Sequence, residues 1–280
     1  MTEPSATTLS PSRWHSRLRA MGPGIMMASA AVGGSHLIAS TQAGALYGWQ
    51  LALIIVLANV FKYPFFRFGP QYTLSTGKSL LEGYAEKSRV YLWVFFALNL
   101  FATVINIAAV SMLCAAILGF VLPGEWSVNA LALAVLASAV LMLLAGPYRT
   151  VDRMSKIIMI SLTITTVAAV AIAAGKGAAM QADFVEPSPW NLATLAFMVA
   201  LMGWMSAPIE ISAINSMWVV AKRRLNKVRY EDGIFDFNVG FIGTAILALV
   251  FLALGALVQY GSGEAVEQAG VKYIAQLIKM

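Results

Sequence analysis

Apolar residues run in seven long stretches along the chain: about Met21 to Ala45, Trp49 to Phe68, Tyr91 to Leu122, Ser127 to Ala145, Ile157 to Ala174, Leu192 to Val220 and Phe237 to Tyr260. Each is close to or above the roughly 20 residues a helix needs to cross a hydrocarbon core about 30 Å thick. Backbone N–H and C=O groups find no water at that depth, and a helix satisfies them within one segment. The pattern therefore predicts an all-α, polytopic membrane protein. Residues 1–20 read as a Ser/Thr/Pro-rich, then basic, tail, and residues 21–280 as the transmembrane domain. An apolar pattern restarts at Val271 and runs to Met280. It reads as the start of an eighth helix, and the chain is expected to be a piece of a longer protein.

Composition agrees with this reading. Apolar residues make up 59% of the 280 and charged residues 11%, where a soluble domain carries about 25% charge. So few charges cannot cover a water-facing surface, which excludes a soluble enzyme, a disordered chain and a nucleic-acid-binding domain. The expected partner is the lipid bilayer. The net charge of +6 reports topology. Arg13, Arg17 and Arg19, then Arg67, Lys78, Lys87 and Arg89, then Arg149, Arg153 and Lys156, then Lys222, Arg223, Arg224, Lys227 and Arg229 all fall on one side if the spans alternate. That side is the cytoplasmic one by the positive-inside rule, so the N-terminus is expected inside, with the plasma (inner) membrane as the expected location. Lys62 lies within a span, roughly 10 Å from its cytoplasmic end at 1.5 Å per residue, and is expected to snorkel. A lone Cys114 excludes an internal disulfide framework. No nucleophile motif points to an enzyme, and no residue set calls for a cofactor.

Two of the spans are interrupted. The first carries Val32-Gly33-Gly34-Ser35-His36 at mid-length and the sixth carries Ser206-Ala207-Pro208-Ile209-Glu210. Adjacent glycines and a proline at that depth predict local unwinding, which lipid tolerates only where the backbone lines a cavity or is packed in protein. Interrupted helices five spans apart point to a five-plus-five inverted-repeat transporter of the LeuT type, with its site at the breaks. Against this stands the plainer reading that Gly33-Gly34 lets helices pack and Pro208 only kinks one.

Polar residues near the breaks name the candidates. Glu210 reads as the only acid deep within a span, and His36 as the only histidine in one. An ionised carboxylate at mid-membrane costs about 2.5–3.5 kcal/mol on insertion scales, so Glu210 is either a functional group or a protonated tie between helices. His36 is either a ligand or a neutral imidazole satisfied by the backbone. Superimposing the two breaks sets His36 opposite Glu210. With the hydroxyls of Ser35 and Ser206 and carbonyls freed at Gly33 and Ala207, they form a mostly oxygen ligand set. Such a set suits Mg²⁺ or Mn²⁺, and Glu210 or His36 can also pass protons. On the third span Asn99, Thr103 and Asn106 share one face and are candidates to line the pathway or to bond helices together.

At these residues the chain resembles the Nramp family of divalent-metal transporters. Gly22-Pro23-Gly24, the run to the break and Gln42-Ala43-Gly44-Ala45 match that family's first helix, and Arg67-Phe68-Gly69 through Ser75-Thr76-Gly77-Lys78-Ser79-Leu80 and Glu82 match its loop after helix two. Gly203 and Pro208 extend the likeness to helix six. The resemblance implies the inverted-repeat fold with about eleven or twelve helices and transport of divalent cations by alternating access. The departures fall on the chemistry. Where the family has Asp-Pro-Gly-Asn this chain has Gly33-Gly34-Ser35-His36, and where the family has Met-Pro-His it has Ala207-Pro208-Ile209. The metal-binding Asp, the sulfur ligand and the acids of the family's third helix are missing. The expectation is a secondary transporter with altered metal selectivity, its binding residues being Gly33, Gly34, Ser35, His36, Ala207 and Glu210. The alternative cargo is an organic solute such as an amino acid.

Overall fold

The computed structural model describes residues 13–146, 148–177, 180–208, 210–267, 272–273 and 276. Helices α1 (Arg13–Ala20), α2 (Pro23–Ala31), α3 (Thr41–Tyr47), α4 (Ala52–Thr76), α5 (Leu80–Lys87) and α6 (Arg89–Val121) are followed by α7 (Val128–Ala145), α8 (Tyr148–Lys176), α9 (Leu192–Trp204), α10 (Glu210–Leu225) and α11 (Tyr230–Val258). Among the described residues there is no strand. Four unbroken helices, over residues 52–76, 89–121, 149–176 and 230–258, are long and apolar enough to cross a membrane. The first and sixth spans are each split, as the glycines and the proline predict. α2 and α3 are separated by Val32-Gly33-Gly34 and a π-helical turn over Ser35–Ser40. α9 and α10 are separated by Met205–Pro208.

The stretch after α4 stops one helix and starts the next. Gly77 sits at φ +81, a left-handed C-cap, and accepts this conformation because it lacks Cβ. Ser79 and Glu82 then close a reciprocal capping box at the start of α5.

α11 is the pillar of the bundle. Both halves of helix one lean on it through contacts that leave no room for a side chain. A Cβ on Gly24 would lie 2.0 Å from the Asp236 carbonyl oxygen, and one on Gly240 2.1 Å from that of Gly24. Higher up, a Cβ on Gly44 would lie 1.9 Å from the Leu252 carbonyl oxygen, and one on Gly255 2.0 Å from that of Thr41. These two close approaches bracket the break and hold it against α11. Small residues that let backbones touch are the usual way membrane helices associate. α4 packs against α10 and α11, α8 against α2 and α11, and α6 pairs with α7. Outward faces are apolar, with Phe101, Leu144 and Ile164 exposed.

Two boundaries differ from the sequence reading. α11 begins at Tyr230, before the expected Phe237, and carries Asp232 and Asp236 into the packed interior as buried residues. Glu210 is therefore not the only buried acid of the spans. Of the expected tail, residues 13–20 form α1, where the Arg17 guanidinium lies 4.7 Å from the Phe235 ring centre and the Ser16 hydroxyl donates to the Asp232 carboxylate. Most of the expected eighth helix at Val271 to Met280 lies outside the described residues.

Candidate functional site

At the first break, Gly33 is exposed and a Cβ there would meet nothing within 4 Å. On Gly34 it would lie 3.2 Å from Leu113 Cδ2 and 4.0 Å from Ile38 Cδ1. Neither of these glycines is pressed against the backbone of another helix. They lower helix propensity by about 1 kcal/mol each relative to Ala, which favours an interruption. The Gly33 carbonyl accepts the backbone N–H groups of His36 (3.1 Å) and Leu37 (2.9 Å) and so restarts the helix.

His36 is fully buried. Its Nε2 lies 3.1 Å from the Thr244 carbonyl of α11, which can only accept, so Nε2 carries the proton. Its Nδ1 lies 2.9 Å from Ser35 Oγ, which also reaches the Ala31 carbonyl at 3.1 Å. Both ring nitrogens are therefore committed to helix one and α11.

The second break is held open by α4. Ser206 is buried at φ +50, a left-handed backbone that a non-glycine residue adopts only where its surroundings impose it. Its hydroxyl donates to Asn59 Oδ1 at 2.6 Å, and Asn59 Nδ2 donates to the Ile55 carbonyl at 2.8 Å. One turn along α4, Lys62 does not snorkel. Its ammonium donates to the carbonyls of Met202 (2.8 Å), Gly203 (2.7 Å) and Met205 (2.8 Å). The last carbonyls of a helix have no intrahelical partner and carry its negative dipole end. Lys62 satisfies them where the lipid could not. Asn59 and Lys62 stand three residues apart and so act from one face of α4.

Glu210 opens α10 and is buried. The positive end of the half-helix dipole favours a carboxylate there. Its Oε1 accepts from Asn106 Nδ2 of α6 at 2.7 Å, while the buried Oε2 has no hydrogen-bond partner among the described residues. The polar stripe on α6 thus divides. Asn106 reaches the site, Asn99 donates back to Phe95 of its own helix at 2.8 Å, and Thr103 is exposed. Ala207 is buried among Met27, Ala31, Phe66, Ile211, Phe237 and Phe241. Met205, also fully buried, packs in a separate cluster with Leu201 and Leu252. The structure thus brings Glu210 to Asn106 and Ser35 to His36, and turns His36 toward α11. Among the described residues no three His, Cys, Asp or Glu side chains gather in a group that could hold a metal ion.

A further polar cluster, absent from the sequence reading, sits at the start of α2. Asp236 Oδ1 accepts from the Gly22 N–H at 3.0 Å and Oδ2 from the Gly24 N–H at 2.7 Å. Lys156 and Lys222 each donate to the Met21 carbonyl at 3.0 Å, and Lys156 also to Asp152 at 2.8 Å. Asn215 donates to the Pro23 carbonyl at 2.8 Å. The free N–H groups of Gly22 and Gly24 are thus met by a side chain from another helix.

Two interrupted helices leaning on continuous ones define a membrane protein of the broken-helix class. The same architecture is found in a manganese transporter of Eremococcus coleocola, solved in complex with an aromatic bis-isothiourea substituted compound. The two align with a TM-score of 0.69 at 16% identity, over 92% of this chain and 55% of that one. The family model described as "Natural resistance-associated macrophage protein-like" matches residues 24–279. The chain belongs to the Nramp family, and its fold is the one the broken helices led us to expect. It is 67% identical over 272 residues to an uncharacterized protein of Pasteurella multocida (strain Pm70), a match that covers 96% of this chain and 63% of the relative. The chain thus spans a little over half to under two thirds of the length of these proteins.

Proposed function

We propose that the protein is a secondary transporter of divalent metal cations, working by alternating access, with the cation held at the paired breaks by Glu210. The observation that carries this reading is the buried Glu210 Oε2, an acceptor with no hydrogen-bond partner among the described residues. A buried charge or acceptor left unpaired is costly, and a bound cation removes that cost. Asn106, having given its Nδ2 to Oε1, keeps its amide oxygen as a second hard ligand, and unwound backbone supplies further carbonyls. No sulfur joins this set, because Met205 is packed in the core. The cation is therefore of the hard class, with Mn²⁺ and Fe²⁺ only weakly preferred over Mg²⁺. The basic loops support a cytoplasmic N-terminus in the plasma (inner) membrane. Membership of the Nramp family supports the cargo class.

An organic solute such as an amino acid is the second reading. It is favoured by one observation, that Lys62 already takes the carbonyls at the end of α9. Uptake by the full-length protein in proteoliposomes decides between the two. The first reading expects Mn²⁺ and Mg²⁺ uptake that falls roughly 10- to 100-fold in Glu210→Gln, since a charge-assisted contact is worth about 1.5–3 kcal/mol. Uptake of amino acids but of no divalent cation would overturn it.

A further inference from the structure

Lys62 presents an arrangement that helix capping alone does not require. An ammonium has three N–H donors and no acceptor. Here each donor has its own carbonyl, those of Met202, Gly203 and Met205, at 2.7 to 2.8 Å. All three carbonyls come from one unwound helix end, where the dipole is negative. Carbonyl oxygens converging on a point of positive charge are the ligand set by which proteins hold hard cations. Unwound carbonyls and half-helix C-termini at mid-membrane are where transporters of this architecture hold coupling ions. The lysine is fixed from the other side as well. Asn59, three residues earlier on α4, holds Ser206 in its left-handed backbone, so the same face of α4 both shapes the break and fills it.

We propose that Lys62 is a tethered cation that permanently fills a cation seat at the end of α9, and is thereby a specificity-determining residue. With the seat filled from within, the protein needs no alkali co-ion there, and cargo is confined to the Glu210 side of the break. This inference stands on α4 and α9 and does not depend on which cargo Glu210 binds.

The experiment compares thermal unfolding of the full-length protein and its variants Lys62→Met and Lys62→Arg in detergent. A chelator removes divalent ions, and choline chloride is exchanged for NaCl or KCl at constant ionic strength. The wild type and Lys62→Arg are expected to melt at the same temperature in all three salts. Lys62→Met, with three carbonyls exposed and no tether, is expected to melt lower in choline and to regain a few degrees in NaCl or KCl, because a ligand that binds only the folded state raises its midpoint. A Lys62→Met protein no more sensitive to alkali ions than the wild type would overturn the proposal.

A second measurement needs no variant. In the folded wild type, reductive methylation followed by peptide mass analysis is expected to spare Lys62 while modifying the exposed Lys78. Methylation of Lys62 at the rate of Lys78 would equally overturn the tethered-cation assignment. Failure of divalent uptake would leave both results standing, so this proposal and the transport reading fail separately.

Discussion

At the scale of single residues, Glu210 and His36 stand in similar places in their breaks and have different surroundings. His36 spends both ring nitrogens on Ser35 and the Thr244 carbonyl, whereas Glu210 keeps one buried oxygen without a donor among the described residues. Substituting His36 by Phe should therefore cost stability, about 0.5–1.5 kcal/mol for the hydrogen bond lost to the Thr244 carbonyl. The cation concentration for half-maximal uptake should stay near the wild-type value. A loss of affinity as large as that of Glu210→Gln, measured in the same vesicles, would place His36 among the ligands. Glu210 was legible in the sequence because a lone acid in an apolar run is costly, and Asn106 because its stripe has helical spacing. Asn59, Lys62 and Asp236 were not. Their partners are backbone carbonyls, a backbone-shaping serine and backbone N–H groups, and backbone groups leave no signature in a residue pattern. Their only signal was position: Asn59 and Lys62 share a face of one apolar helix.

At the scale of elements, glycines that look alike in the sequence do opposite things. Gly44 touches backbone, where a Cβ would stand 1.9 Å from the Leu252 carbonyl oxygen, so Gly44→Val should force α3 off α11. The expected loss is about 1–3 kcal/mol or more, visible as a lower melting temperature. Gly33 touches nothing. Gly33→Ala should leave melting unchanged or raise it, since Ala is favoured in helix by about 0.8–1 kcal/mol. It should also slow transport by extending α2 into the break. Slower uptake with an unimpaired midpoint supports a break that must move; unchanged uptake contradicts it.

The short helix α5 carries a pH-dependent cap. The backbone N–H of Ser79, and then its hydroxyl, hold the Glu82 carboxyl below its usual range. A carboxyl depressed on folding contributes its stability above the unfolded value and loses it as pH falls through the folded one. Amide exchange at the start of α5, corrected for its intrinsic pH dependence, should therefore quicken as Glu82 is protonated and be flat with pH in Glu82→Gln. The four unbroken helices long enough to cross a membrane could be read from hydrophobic runs, and both breaks from Gly and Pro. The early start of α11 could not, because Asp232 and Asp236 look like loop residues until Ser16, Gly22 and Gly24 supply their partners.

At the scale of the whole molecule, charge is scarce and placed with purpose. Most of the basic residues lie in the connections that fall on one side if the spans alternate. Lys156 and Lys222 tie down the entry to helix one. Lys62 closes the end of α9, and Glu210 opens α10 with one buried oxygen that has no partner among the described residues. Within the Nramp family, this chain keeps the broken-helix frame and carries Gly33-Gly34-Ser35-His36 and Ala207-Pro208-Ile209 at its breaks. The frame survives because Gly, Pro and the α11 contacts build it, and those do not depend on the ligands. On our proposal Glu210 holds a hard divalent cation at the breaks. The most direct test titrates Mn²⁺ into the full-length protein and its Glu210→Gln variant and follows the loss of the free-ion paramagnetic resonance signal. The account predicts saturable binding that Mg²⁺ competes away in the wild type and that disappears in the variant; equal binding by the two proteins, or none by either, would contradict it.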